Sequence, residues 1–130
     1  MRIAISGSHF TGKSTLIEAL SKKLPNYLVV EEPYFLIEGE GYIFSDPPGV
    51  QDFRQQFDRS TSLINESESD TIFDRCPLDF IAYALTIKSD IDLESWIEEL
   101  EGPLEQLDLI VFYLLNTKIK FLFHPQKTKN

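Results

Sequence analysis

An eight-residue run near the start of the chain has the composition and spacing of a phosphate-binding loop. Residues 7–14 read GSHFTGKS, which fits the pattern G-x-x-x-x-G-K-[ST], and they follow the short apolar stretch Ile3 to Ile5. Glycines let the backbone curl so that successive N–H groups point inward, and the next helix offers its positive N-terminus to the same phosphates. The run therefore predicts a nucleoside triphosphate site. A glycine-containing turn in an unrelated domain is the competing interpretation.

The side chains of this loop have separate predicted roles. The Lys13 ammonium should reach the β- and γ-phosphates, and the Ser14 hydroxyl should take a place on Mg²⁺, whose octahedral shell is completed by phosphate oxygens and water. The residues expected to contact ATP are Gly7, Ser8, Thr11, Gly12, Lys13, Ser14 and Thr15.

A second candidate group follows the apolar run Leu28 to Val30, where the sequence continues Glu31-Glu32-Pro33. A carboxylate at this strand end would face the γ-phosphate, where it could orient an acceptor hydroxyl and take its proton late in phosphoryl transfer. We assign that role to Glu32. A solvated pair of glutamates at a strand end is the alternative.

A third candidate group is the run Thr71 to Asp79, TIFDRCPLD. An aspartate that follows apolar strand residues is placed to hold magnesium, directly or through water, which assigns Asp74 to the metal. The Arg75 guanidinium could clamp a substrate phosphate or hydroxyl with its planar donor fork. An Asp74–Arg75 pair that only neutralises itself is the alternative. For Cys76 a small buried side chain, and for Asp79 a first-turn helix acid, are the simpler interpretations.

The elements that position these groups alternate between short apolar runs and helical patterns, which predicts a parallel sheet wrapped by helices. Predicted strands cover 3–6, 27–31, 71–74 and 107–113, with a short terminal strand around 119–123; predicted helices cover 16–24, 50–64, 77–87 and 93–100. The segment from Pro33 to Gly49 reads as a long loop and a candidate lid over a substrate.

Charge and composition limit the partners. The net charge of −9 argues against binding nucleic acid or an anionic membrane surface. Residues 1–108 hold all 21 acidic residues against eight Lys and Arg, whereas residues 109–130 hold four lysines and no acid. We therefore expect a nucleotide-binding domain over 1–113 and a divergent, lysine-rich tail over 114–130. A single cysteine, the absence of a membrane-length apolar segment and an N-terminus that enters a strand directly lead us to expect a cytoplasmic protein.

Together the three groups resemble bacterial P-loop ATP-binding proteins of the AAA-domain class, which are similar to deoxynucleoside, thymidylate and nicotinamide riboside kinases. The resemblance rests on residues 7–14, on Glu31-Glu32-Pro33 and on FDRCPLDFIAY at 73–83, and it spans residues 1–113. It implies a three-layer α/β P-loop NTPase fold, ATP and Mg²⁺, with Glu32 as base and with Asp74 and Arg75 at the metal and the substrate.

The chain departs from that family after the fourth predicted strand. Such kinases carry a lid with arginines and an adenine loop there, whereas the last arginine of this chain is Arg75. We therefore expect a C-terminally incomplete sheet, an edge that a second copy could cover, and weakened activity. The expected function is phosphoryl transfer from ATP to a small nucleoside- or nucleotide-like metabolite. An ATP-dependent switch or hydrolase with a protein partner, and a truncated non-catalytic remnant, are the alternatives.

The acceptor pocket is the least defined part of the sequence prediction. Polar residues on the predicted helix 50–64 could line it, or they could form a solvated face. These residues are Gln51, Arg54, Gln55 and Arg59.

Overall fold

Strands and helices alternate along the chain, as its hydrophobic pattern predicts. The computed structural model describes residues 1–7, 12–113 and the backbone of 121–123. The strands are β1 (Arg2–Ser6), β2 (Leu28–Val30), β3 (Thr71–Asp74), β4 (Leu109–Phe112) and β5 (Phe121–Phe123). The helices are α1 (Lys13–Lys23), α2 (Pro33–Gly39), α3 (Val50–Asn65), α4 (Pro77–Ile87) and α5 (Glu94–Gln106).

The five strands form one sheet in the order β2-β3-β1-β4-β5. The pairs β2–β3, β3–β1 and β1–β4 are parallel, and β5 runs antiparallel to β4. The predicted α/β fold with a parallel sheet between helices is confirmed, and so is a short strand near residue 121.

Alternating residues of the central strand β1 pack on the two faces of the sheet, because successive strand side chains point in opposite directions. Ile3 and Ile5 pack in a cluster with Ile17 of α1. Ala4 belongs to the cluster on the other side, with Ile64 of α3. Helices α3, α4 and α5 join around a third cluster, in which Phe57, Phe80 and Trp96 are buried. The sheet is therefore held between α1 and the α3–α5 group.

Strand register explains why residues distant in sequence share one site. Ile5 pairs with Asp74, and Val30 pairs with Phe73. The carboxyl ends of β1, β2 and β3 therefore lie at the same edge of the sheet, which is where parallel α/β sheets bind ligands.

The segment 33–49 differs from its prediction as a continuous loop. Its first seven residues form α2, with Pro33 in the first turn. Proline is well placed there, because its fixed φ suits the helix start and its missing N–H would have had no partner. Residues 40–49 are irregular. Most of the predicted tail 114–130 lies outside the described residues.

Within the described residues, no helix combines the length and the apolar character that a membrane crossing requires.

Candidate functional site

The predicted phosphate-binding loop enters α1 through a glycine that no other residue could replace without strain. Gly12 has φ +93°, in the left-handed region, and a Cβ built on it would lie 3.2 Å from the Tyr113 hydroxyl oxygen. Helix α1 begins at Lys13, with no acidic residue in its first turn. No carboxylate of this turn therefore competes with an anion for the N–H groups that the start of a helix leaves without intrahelical partners. Ser14 and Thr15 are exposed in the same turn, whereas Ser8 and Thr11 lie outside the described residues.

The Lys13 ammonium lies between two of the predicted site carboxylates. Its residue is 6% exposed. Its Nζ forms an ion pair with Asp74 Oδ1 and lies 3.7 Å from Glu32 Oε2. The structure thus brings together Lys13, Glu32 and Asp74, which the sequence places in three separate segments. The two carboxylates compensate the buried ammonium, which burial alone would disfavour.

Arg75 has a backbone conformation that non-glycine residues rarely adopt. Its φ is +89°, and its N–H donates to the Ile5 carbonyl at 2.9 Å. A residue in this region costs on the order of 1–3 kcal/mol and persists only where its surroundings fix it. The strain lies at the carboxyl end of β3, and it directs the side chain into the site.

The Arg75 guanidinium connects three parts of the site. Its Nη1 donates to the Gly7 carbonyl at 2.8 Å and to the Tyr83 hydroxyl at 2.9 Å. Its Nε lies 3.6 Å from Glu32 Oε2, and its Nη1 lies 3.8 Å from Asp79 Oδ2. With only 2% of the residue exposed, this arginine positions the loop, the predicted base and α4 relative to one another.

Asp79 is a first-turn acid of α4, as the sequence predicts, and its carboxylate also contacts residues beside the candidate site. It accepts a hydrogen bond from the Ser6 hydroxyl and another, at 3.3 Å, from the Cys76 N–H. Burial raises the pKa of Asp79 to about 6, against the opposing effects of Ser6 and Arg75. Asp79 therefore also connects α4 to Ser6 of β1 and to Arg75.

A cavity of about 550 Å³ opens beside Glu32 and Arg75. Its volume is in the range of small-molecule sites. Residues from α2, from the 40–49 segment, from α3 and from α4 surround it. Those lining residues are Glu32, Tyr34, Phe44, Ser45, Asp46, Pro48, Phe53, Gln56, Arg75 and Tyr83.

Comparison with protein families identifies the family to which this fold and its candidate site belong. A family model described as an AAA domain matches residues 2–121. The chain belongs to the AAA domain family. Neither a curated protein nor a solved structure gives a significant match.

The metal-binding prediction for this AAA domain fits the side chains present. Ser14 is exposed at the start of α1, and the Asp74 side chain is 18% exposed beside Lys13. The described residues contain no group of three His, Cys, Asp or Glu able to hold a metal by themselves. One hydroxyl and one carboxylate leave the remaining positions to phosphate and water, which is how Mg²⁺ is usually held at nucleotides.

The polar residues predicted to line an acceptor pocket do not line the 550 Å³ cavity. Arg54 pairs with Asp58 and Glu99, and Arg59 pairs with Glu40, so these arginines belong to an ion-paired surface. Gln51 and Gln55 do not line the cavity either; α3 contributes Phe53 and Gln56 to it. Gln51 is exposed, whereas Arg54, Gln55 and Arg59 are half-buried, and a part for these residues in an acceptor pocket stays a prediction.

The structure confirms the simpler interpretation of Cys76, which is that of a small buried side chain. It is fully buried in the core cluster that contains Ala4 and Ile64. Burial raises the pKa of its thiol, so that the side chain behaves as a small apolar residue.

Proposed function

We propose that this AAA domain is a kinase that binds Mg-ATP and transfers its γ-phosphoryl group to a hydroxyl of a small molecule bound in the 550 Å³ cavity. The observation that carries the proposal is the position of Glu32. Glu32 lines the cavity, and its Oε2 lies 3.7 Å from the Lys13 ammonium. One side chain therefore contacts both the space for an acceptor and the group that would hold the phosphates.

Each charged side chain has a distinct role in this proposal. Lys13 and the N-terminus of α1 would hold the phosphates, and Ser14 and Asp74 would hold the Mg²⁺ that neutralises charge on them. Lys13 would leave its ion pair with Asp74 to do so, which frees the carboxylate for the metal.

Glu32 would accept a hydrogen bond from the acceptor hydroxyl and take its proton as the new bond to phosphorus forms. Arg75 orients that carboxylate, because its Nε lies 3.6 Å from Glu32 Oε2. We assign Arg75 a positioning role, since its Nη1 is engaged by Gly7, Tyr83 and Asp79.

Calorimetric titration of Mg-ATP tests the nucleotide site first. We expect micromolar binding by the wild type and loss of at least tenfold in affinity for Lys13→Ala, since the variant lacks the charge that contacts the phosphates. A folded wild type that does not bind Mg-ATP would contradict the proposal and support a non-catalytic remnant.

Glu32→Gln then tests the acceptor side, with Glu31→Gln as a matched control at the exposed neighbouring position. Transfer from ATP to nucleosides and related hydroxyl compounds should fall by about 10²–10⁴ in Glu32→Gln and stay at the wild-type rate in Glu31→Gln. Mg-ATP affinity should change only a few-fold in both variants. Full transfer activity in Glu32→Gln would show that Glu32 is not the base. Hydrolysis of ATP with no transfer to any acceptor would favour the switch or hydrolase alternative.

A further inference from the structure

The charged groups around Lys13 give bound ATP a direction across the sheet. The Lys13 ammonium, which would hold the γ-phosphate, contacts Asp74 at the end of β3 and Glu32 just beyond the end of β2. Phosphoryl transfer keeps the attacking oxygen, the phosphorus and the leaving oxygen roughly in line. An acceptor beside Glu32 therefore places the γ-phosphate towards β3 and the nucleoside on the opposite side of β1.

Strand β4 lies on that opposite side, because the strand order is β2-β3-β1-β4-β5. Tyr113 directly follows β4, and its N–H donates to the Ser6 carbonyl at 2.8 Å, which continues the pairing with β1. Val111 packs with Ile17 on the α1 side of the sheet. Tyr113 is two residues further along the chain, so the alternation of strand side chains places it on the α1 side as well.

The Tyr113 ring lies against the last glycine of the phosphate-binding loop. A Cβ built on Gly12 would lie 3.2 Å from the Tyr113 Oη and 3.3 Å from its Cε1. Tyr113 is only half-buried, and its hydroxyl forms no hydrogen bond with any residue that the structure describes. Residues 109–113 read LIVFY, so this strand end brings no carboxylate towards the phosphates. A partly exposed aromatic ring thus lies beside the loop, on the side where the nucleoside would leave it.

We propose that Tyr113 is a nucleoside-binding residue, whose ring packs on the base and ribose of ATP while Lys13 and the start of α1 hold the phosphates. The inference rests on the proposed function for the direction of the bound ATP. Stacking on an aromatic side chain needs no hydrogen bond to the edge of a base, because every base has a π-face. Tyr113 can therefore contact the nucleoside of any nucleoside triphosphate in this site.

Binding of Mg-ATP and of Mg-tripolyphosphate, compared by calorimetry, tests this role. Tripolyphosphate carries the phosphate chain without a nucleoside. Tyr113→Leu keeps an apolar side chain beside Gly12 and removes the flat ring. We expect this variant to bind ATP at least fivefold more weakly than wild type and to bind tripolyphosphate within twofold of wild type. Tyr113→Phe, which keeps the ring, should bind both ligands within twofold of wild type.

Phe112→Leu is the matched control, because Phe112 packs on the other side of the sheet, in the cluster that contains Ala4. This variant should bind both ligands with wild-type affinity. An equal loss of affinity for both ligands in Tyr113→Leu would show that Tyr113 only supports the loop, and would overturn the proposal. ATP binding that is unchanged in Tyr113→Leu, or equally weakened in Phe112→Leu, would overturn it too.

Tyr113→Trp gives a signal that does not depend on a loss of affinity. The wild-type chain has one tryptophan, Trp96, which is 4% exposed and packs on Phe57 within the α3–α5 group. After subtraction of the wild-type signal, we expect ATP to quench the emission of Tyr113→Trp and tripolyphosphate to leave it unchanged. Saturation with ATP without quenching would contradict contact between residue 113 and the base.

The inference and the proposed function fail on different measurements. A domain that binds ATP through Tyr113 and transfers no phosphate contradicts the kinase proposal alone. An active kinase whose Tyr113→Leu variant loses affinity equally for ATP and tripolyphosphate contradicts the role of Tyr113 alone. A folded wild type that binds neither ligand overturns both.

Discussion

Asp52 and Asp79 are each the third residue of their helix, but their pKa values are shifted in opposite directions. Burial alone would raise the pKa of Asp52, but hydrogen bonds from Gly49, Tyr42 and Ser45 lower it overall. For Asp79, burial dominates and its pKa rises to about 6. An acid in the first turn of a helix is thus recognisable in the sequence, whereas the sign of its contribution to stability depends on its three-dimensional partners.

Replacing Asp79 should change how stability depends on pH. Because its folded pKa of about 6 exceeds the unfolded value of 3.8, its contribution is present at low pH and is lost as the pH rises through 6. The side-chain amide introduced by Asp79→Asn does not titrate. Its single oxygen replaces only one of the two carboxylate oxygens, Oδ1 that accepts from Ser6 or Oδ2 that accepts from Cys76, and that loss does not depend on pH. Relative to wild type, the variant should therefore gain about 2 kcal/mol in free energy of unfolding between pH 4 and pH 7.

Urea unfolding at pH 4, 5.5 and 7 measures this difference, with exposed Asp90→Asn as the control. A stability difference between Asp79→Asn and wild type that stays constant across this range would show that Asp79 titrates in the folded domain as it does in the unfolded chain.

Sequence reasoning identified residues at strand ends that the structure brings together, although their roles stay predictions, and it missed contacts made between helices and the sheet. Lys13, Glu32 and Asp74 follow strands or open a helix, and the parallel register brings them together. Tyr83 contacts Arg75 from α4, and Tyr113 limits the space at Gly12. These contacts depend on how helices pack on the sheet, and a single sequence carries no signal for that distance.

At the scale of elements, the 40–49 segment forms one wall of the cavity, and hydrogen bonds to Asp52 in the first turn of α3 hold it in place. Asp52 accepts hydrogen bonds from the Tyr42 hydroxyl at 2.8 Å, the Gly49 N–H at 2.8 Å and the Ser45 N–H at 3.2 Å. The described contacts therefore fix the wall in place. Hydrophobic periodicity predicted the strands and the longer helices. It did not predict α2, because a helix of seven residues, from a proline to a glycine, is too short to show a helical period.

Asp52→Asn should loosen this wall. One amide oxygen must replace two carboxylate oxygens, and its NH₂ group faces backbone donors, so we expect a loss of about 2 kcal/mol in stability at pH 7. Hydrogen exchange of residues 42–49 should accelerate, while Mg-ATP affinity should stay unchanged. Because the folded pKa of Asp52 is lowered, the wild-type advantage is present above the unfolded pKa of 3.8 and is lost as the pH falls through the lower folded value.

Asp58→Asn, on the same helix with a side chain 49% exposed, is the control for Asp52→Asn. Unchanged exchange of residues 42–49 in Asp52→Asn would show that the wall is held by its other contacts, such as the stacking of Tyr34 on Phe44.

At the scale of the whole molecule, the phosphate loop is attached to the core through α1 and β1. Ile17 of α1 packs with Ile3 and Ile5, and Arg75 ties Gly7 to β3 and α4. A ligand that contacts Lys13 and the start of α1 therefore acts on elements that belong to the global folding unit. The predicted homodimer through an open sheet edge stays a prediction.

Mg-ATP should consequently stabilise the entire domain against urea. Binding to the folded state alone adds about 2.7 kcal/mol to the free energy of unfolding at a ligand concentration of 100 times Kd. The slope of free energy against urea should not change, because the same surface is exposed on unfolding with or without ligand. Lys13→Ala at the same Mg-ATP concentration should show about half of this gain or less, because its affinity is at least tenfold weaker. A slope that depends on the ligand, or a second unfolding transition that does not respond to Mg-ATP, would contradict this prediction. Either result would mean that the α3–α5 group unfolds separately from the nucleotide site and that Arg75 does not join them into one cooperative unit.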